Sequence, residues 1–149
     1  MSMKDTTEDE AAGAAVVRFY QALEALLRGQ GTGPMKEAWH HTPRVTAMHP
    51  MGDIERGWDQ ILASWEEFSK IGSDETGGSS IRDLRVHRYG DVAYTTCVFV
   101  SGPKFNYVAV NCTNVVHKAD GVWRVVHHHA DRRQAIEDMA VRLAVEKAT

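Results

Sequence analysis

Apolar positions recur at helical spacing through the first half of the chain and alternate with polar ones through most of the second. Ala12, Val16, Phe19, Tyr20, Leu23, Leu26 and Leu27 form one stripe at three- and four-residue intervals, which predicts an amphipathic helix. Thr7 and Glu10 stand before it with capping-box spacing, where a hydroxyl and a carboxylate satisfy free amides, so residues 1–7 read as a disordered lead. The run Gly29-Gln30-Gly31-Thr32-Gly33 ends the stripe. Pro34 suits the first turn of a short second helix through Trp39, and Pro43 cannot continue it. Val45 to His49 alternates weakly and stops at Pro50-Met51-Gly52, a short strand and turn. Trp58, Ile61, Leu62, Trp65 and Phe68 then share one face of a third helix that Gly72 closes. A polar loop follows to Ser80.

From Ile81 the period changes to that of strands. Runs near 81–88, 92–101, 106–118 and 122–129 are separated by Tyr89-Gly90-Asp91, Gly102-Pro103-Lys104 and Ala119-Asp120-Gly121, connectors short enough for an antiparallel meander. Asp131 with Gln134 offers a cap for a carboxy-terminal helix over 132–149, leaving a domain over 8–131. Helices first and an antiparallel sheet afterwards is an α+β order, in which the helices cover one sheet face. If the sheet is curved and the helices only partly fill its concave side, a hollow is left of the kind small ligands favour.

Composition narrows the partners. A chain of 149 residues suits one domain, and 43% hydrophobic with 25% charged residues is ordinary for a soluble one. No window approaches the ~18 consecutive apolar residues of a membrane span, and the acidic amino end lacks a secretory core, so a cytoplasmic protein is expected. The net charge of -3 and the scattered Lys and Arg give nucleic acid no electrostatic footing. Two cysteines, Cys97 and Cys112, lie in β-like surroundings without metal spacing and read as reduced core thiols. Asn111-Cys112-Thr113 matches a glycosylation acceptor but sits inside a strand, and the glycine run follows a helix where a phosphate-binding loop would follow a strand.

Thr46-Ala47-Met48-His49-Pro50-Met51-Gly52, then Gly57, Trp58 and Ile61, then Val122-Trp123-Arg124-Val125-Val126-His127-His128-His129 resemble SnoaL-like proteins of the nuclear transport factor 2-like superfamily over roughly residues 10–130. The resemblance implies a cone-shaped α+β barrel, helices packed on a curved antiparallel sheet around a pocket. The closing strand is also similar to that of the association domain of calcium/calmodulin-dependent kinase II, which assembles subunits; on that likeness Asn114 looks inward. Ketosteroid isomerases are similar too. Their helix-one tyrosine, which stabilises an enolate oxygen, falls on Tyr20, and their proton-moving aspartate falls on His49. This sequence departs from them in having no Asp beside Thr113 and Asn114, where a second oxyanion donor is expected.

His49, Tyr20 and Asn114 are therefore the catalytic candidates: an imidazole takes and returns a proton near neutrality, and the other two can donate to a developing oxyanion. The alternatives are a packed, hydrogen-bonded histidine and a stripe tyrosine. Strand alternation puts Trp123, Val125, His127 and His129 on one side, and because Arg124 is hard to bury that side is assigned to the hollow. His127, His129 and Trp123 thus join Tyr94 and Trp39 as ligand-binding candidates. His49, His127 and His129 could together hold a metal, but there is neither a carboxylate fourth ligand nor an established motif, so no metal or other cofactor is assigned. Val126, Cys97 and Phe99 on the outer face would leave apolar surface for a second copy, which predicts a homodimer. The function expected is binding of a small organic molecule, with cofactor-independent isomerase, cyclase or dehydratase chemistry at His49; the alternative is a non-catalytic ligand-binding or association module.

Overall fold

Helix α1 (Met3–Leu27) opens the chain in the computed structural model, which describes residues 2–50, 52–102, 108–132 and 136–148. Its start corrects the sequence reading, because the lead expected over residues 1–7 is helical from Met3. Ser2 is the N-cap: its Oγ accepts the Asp5 amide at 3.2 Å, and Asp5 bonds back. Thr7, the expected cap, instead donates its hydroxyl to the Met3 carbonyl at 2.9 Å. The first turns are fastened to the sheet by ion pairs, Arg88 to Asp5 and Asp9 and Lys118 to Glu8, which is why the earlier of two cap sequences wins.

The order continues as α2 (Gly33–Ala38), β1 (Thr46–Met48), β2 (Ile54–Arg56), α3 (Trp58–Ser69), β3 (Ser80–Tyr89), β4 (Val92–Val100), β5 (Ala109–Ala119), β6 (Val122–Arg132) and α4 (Ile136–Ala148). Among the described residues six strands form one sheet in the order β2-β1-β6-β5-β4-β3. Strands β3 to β6 are the antiparallel meander, β1 lies parallel to β6, and β2 hairpins back on β1. This is the α+β cone: helices against the concave face of a curved sheet. Strand β2 has no counterpart in the sequence reading, and β6 runs on through Asp131, so the carboxy-terminal helix begins only at Ile136. The proposed cap partner Gln134 and most of the Gly102-Pro103-Lys104 connector lie outside the described residues. Among the described residues no helix is long and apolar enough to cross a membrane.

The stripe of α1 is buried as its spacing demands, with Phe19 and Leu26 fully enclosed alongside Met35, Trp39, Ile61 and Trp65. Each such side chain contributes roughly 1.5–3 kcal/mol by leaving water. The helix passes close to β3, a Cβ on Gly13 meeting Val86 at 3.2 Å. Beyond α1 the loops touch backbone to backbone. A Cβ on Gly72 would come within 2.2 Å of the Leu26 carbonyl oxygen, and one on Gly102 within 2.2 Å of that of Gly77.

One irregularity decides which histidines face inward. Val116 pairs with Val125 while Val115 pairs with His127, so Val126 is an extra residue, a β-bulge in β6. Before it Trp123 and Val125 face the core; after it His128 and Ala130 do. The expected assignment of His127 and His129 to the hollow is thereby overturned, since one inserted residue moves every later side chain to the opposite face.

Candidate functional site

Between α1, α3 and the concave face of β4 to β6 lies a cavity of about 380 Å³. Its walls are largely hydrocarbon: Leu23 and Leu27 from α1, Phe68 from α3, Phe99, Val110 and Ala130 from the sheet. The lining residues with polar or thiol side chains are Tyr20, His49, Trp65, Ser101, Cys112 and His128, and no Lys or Arg is among the described residues lining it.

His49 follows β1, whose Ala47 is paired with Glu55 of β2. The hairpin brings His49 Nε2 to 3.0 Å from Glu55 Oε1. The two atoms are at ion-pair distance but not aligned as a hydrogen bond, and among the described residues neither has a hydrogen-bond partner. The His49 ring lies nearly perpendicular to that of Trp65 at 4.9 Å and tilted against that of His128 at 5.8 Å, centroid to centroid.

Behind His49 runs a buried polar chain. Asn114 Nδ2 donates to the Tyr20 hydroxyl oxygen at 2.7 Å, and Asn114 Oδ1 lies 2.7 Å from His128 Nδ1. A carboxamide oxygen only accepts, so His128 carries its proton on Nδ1 and leaves Nε2 as an acceptor. Burial holds the His128 ring well below the usual 6.5, and the neighbouring His49 adds to the effect. Burial likewise raises the Tyr20 phenol far above its usual 10.0, so it is a donor and never a phenolate. Next to it Cys97 and Cys112 sit directly opposite each other across β4 and β5, free and buried. Their mutual hydrogen bond lowers Cys97 and raises Cys112.

Of the residues chosen from sequence, the structure brings His49, Tyr20 and Asn114 to this region and leaves the others elsewhere. His127 and His129 are on the convex face, where Thr46 Oγ1 lies 2.6 Å from His127 Nδ1. Burial, and then the nearby His129, lower the His127 pKa. A metal held by His49, His127 and His129 is ruled out by this separation across the sheet. Among the described residues no other group of three His, Cys, Asp or Glu side chains is placed to hold one. Tyr94 is also convex, stacked on His87 at 4.7 Å and 38% exposed, because its partner in β5 is the outward Val115. Trp39 is core, packed between Phe19 and Trp58 away from the cavity. Trp123 faces inward as expected but at the far end of the sheet, its indole donating to Glu8 at 3.0 Å. Cys97 and Phe99, expected on the outer face, point inward with Cys112.

Three contributors were missed: His128, Glu55 and the cavity face of Trp65. The adjacent Val125 and Val126 break the alternation of β6 and are the one local sign of the bulge that turns His128 inward. Glu55 had only the brief polar-apolar stretch Asp53-Ile54-Glu55-Arg56 to announce a strand.

Comparison with known proteins agrees with this architecture. The sequence model of a SnoaL-like domain matches residues 14–130. Among solved structures, a candidate calcium/calmodulin-dependent protein kinase type II association domain from Thiobacillus denitrificans ATCC 25259 superimposes with a TM-score of 0.71 at 24% identity, covering 81% of this chain and 94% of that one. A candidate dehydratase of the NTF2-like family from Streptomyces avermitilis gives 0.70 at 26% identity, over 88% and 99% of the two chains. The F-box protein SKIP8 of Arabidopsis thaliana is 22% identical over 119 residues, 78% of this chain, which spans 48% of that protein's length.

Proposed function

Because the chain belongs to the SnoaL-like domain family, we propose that its cavity binds a small organic molecule and that His49 moves a proton on it, in the manner of a cofactor-independent isomerase, cyclase or dehydratase. The observation that carries this reading is the His49–Glu55 pair, 3.0 Å apart, at a cavity whose other walls are mostly hydrocarbon. Neutral His49 takes a proton from carbon next to a carbonyl, and the Glu55 carboxylate stabilises the positive charge so created. The charge forms where water is scarce, which strengthens the attraction. His128 offers the substrate an acceptor at Nε2, held in place through Asn114 and Tyr20. The name of the Streptomyces relative, a candidate dehydratase, is in keeping with such chemistry.

The test is α-proton exchange of 2-tetralone in D₂O, followed by NMR. The protein should accelerate it about 10²–10⁴-fold over an equal concentration of free imidazole, and His49→Gln should abolish the gain. Glu55→Gln should lower it about tenfold or more. Exchange unchanged in His49→Gln removes His49 as the base.

A second reading, an association module, is favoured by the convex face and by the name of the Thiobacillus relative. Cys97 and Phe99 are no longer available to that face. Exposed Tyr89, Val92 and Tyr94, neighbours across β3 and β4, supply apolar surface instead. Through it we propose a two-fold homodimer, compatible with either use of the cavity.

A further inference from the structure

Trp65 looks at first like one more core residue, 2% exposed on the inward face of α3. It differs from the other deeply buried indoles of the chain. Trp123 has given its N–H to Glu8, and Trp39, whose Nε1 is likewise buried without a hydrogen-bond partner among the described residues, packs between Phe19 and Trp58 away from this cavity. Trp65 lines the cavity, and its Nε1 is buried with no hydrogen-bond partner among the described residues. An indole nitrogen only donates, and buried donors are nearly always paired, so this one calls for an acceptor from outside the chain. Its position beside the base is equally specific. The Trp65 ring is 4.9 Å from His49, whereas Tyr20 makes a ring contact with His128 alone of the two, at 6.4 Å; its hydroxyl oxygen accepts from Asn114 and its proton is engaged by the sulfur atoms of Cys97 and Cys112.

We propose that Trp65, and not Tyr20, is the donor that holds the ligand's oxygen next to His49, and that the ligand is an uncharged carbonyl compound with an otherwise hydrocarbon body. This rests on the reading that the cavity holds a small organic molecule. The charge preference has its own grounds. No cation is among the described lining residues, so a carboxylate would enter without a counterion and face Glu55 across His49. A neutral carbonyl needs one donor, and as a proton leaves the neighbouring carbon the same N–H meets the growing negative charge on oxygen.

Three probes of one shape separate the possibilities: 2-acetylnaphthalene, its methylene isostere 2-isopropenylnaphthalene, and 2-naphthoate, titrated calorimetrically into the whole protein. The ketone should bind about tenfold more tightly than the alkene, the value of one added hydrogen bond, and the naphthoate least tightly. Trp65→Phe should bring ketone and alkene within about twofold of each other. Equal ketone and alkene affinity in the unaltered protein, a ratio that survives Trp65→Phe, tightest binding of naphthoate, or no saturable binding of any probe would each overturn the proposal. Should Trp65→Phe not fold, the indole proton resonance of Trp65 in the unaltered protein decides: a downfield shift with the ketone but not the alkene supports the assignment, and its absence overturns it. Preferential ketone binding without any proton exchange would leave this assignment standing while removing the catalytic role of His49.

Discussion

His127 and His128 are adjacent in sequence and lie on opposite faces of the same strand, which makes them a controlled comparison of what burial does to one side-chain type. His128 is 3% exposed, locked to Asn114, and kept neutral by its surroundings. His127, half-buried on the convex face, bonds to Thr46 and has the ring of His129 beside it. The convex ring is a surface feature that solvent can service; the concave one is part of a chain whose every link must be satisfied by protein. The buried hydrogen-bonded chain is therefore confined to one face although histidine is present on both.

The contrast should appear first as stability. His128→Ala leaves Asn114 Oδ1 unpaired and a void in the core, and should cost about 2–4 kcal/mol in urea unfolding, against about 0–1 kcal/mol for His127→Ala. Equal costs would mean the two faces do not differ as described. The next largest effect is with pH. In the folded protein His128 binds a proton only well below 6.5, whereas the unfolded chain binds it near 6.5. The unfolded state thus holds more protons in that interval, and stability present above 6.5 is lost as pH falls. The slope should reach at most about 1.4 kcal/mol per pH unit for this one group, with a smaller part from His127, and should flatten in His128→Ala. Melting temperatures measured between pH 7 and 5, above the usual range of the carboxylates, check it. The smallest change in folding is expected on the convex face, where Tyr94→Arg should alter monomer stability by no more than about 0.5 kcal/mol. The same substitution should convert the proposed dimer to monomer in sedimentation velocity, and a persistent dimer would place the contact elsewhere.

Periodicity sustained over many residues was readable. The stripe from Ala12 to Leu27, the third helix and the four long strands were all foreseen because each repeats its pattern enough times to outvote local exceptions. What escaped were features made by pairing. Strand β2 has three residues, too few to display a period, yet it delivers Glu55 to His49. The face of β6 could be followed correctly through Trp123 and Val125 and was then lost at Val126, because parity counts residues and a bulge adds one. Likewise Tyr94 and Cys97 could be given a face only through their partners Val115 and Cys112. His49, Tyr20 and Asn114 were found by likeness to a known family; their mutual geometry was not.

The close backbone contacts of Gly72 with Leu26 and of Gly102 with Gly77 adjoin two residues that line the cavity, Leu27 and Ser101. Main chain rests there on main chain, with no side-chain spacer whose length could be traded. The backbone spacing at these two points is on this account a fixed dimension, like the bore of a gauge. The shape of the cavity can be recut at lining positions such as Leu23, Phe68 or Val110, while any methyl group added at Gly72 or Gly102 would prise the frame itself apart.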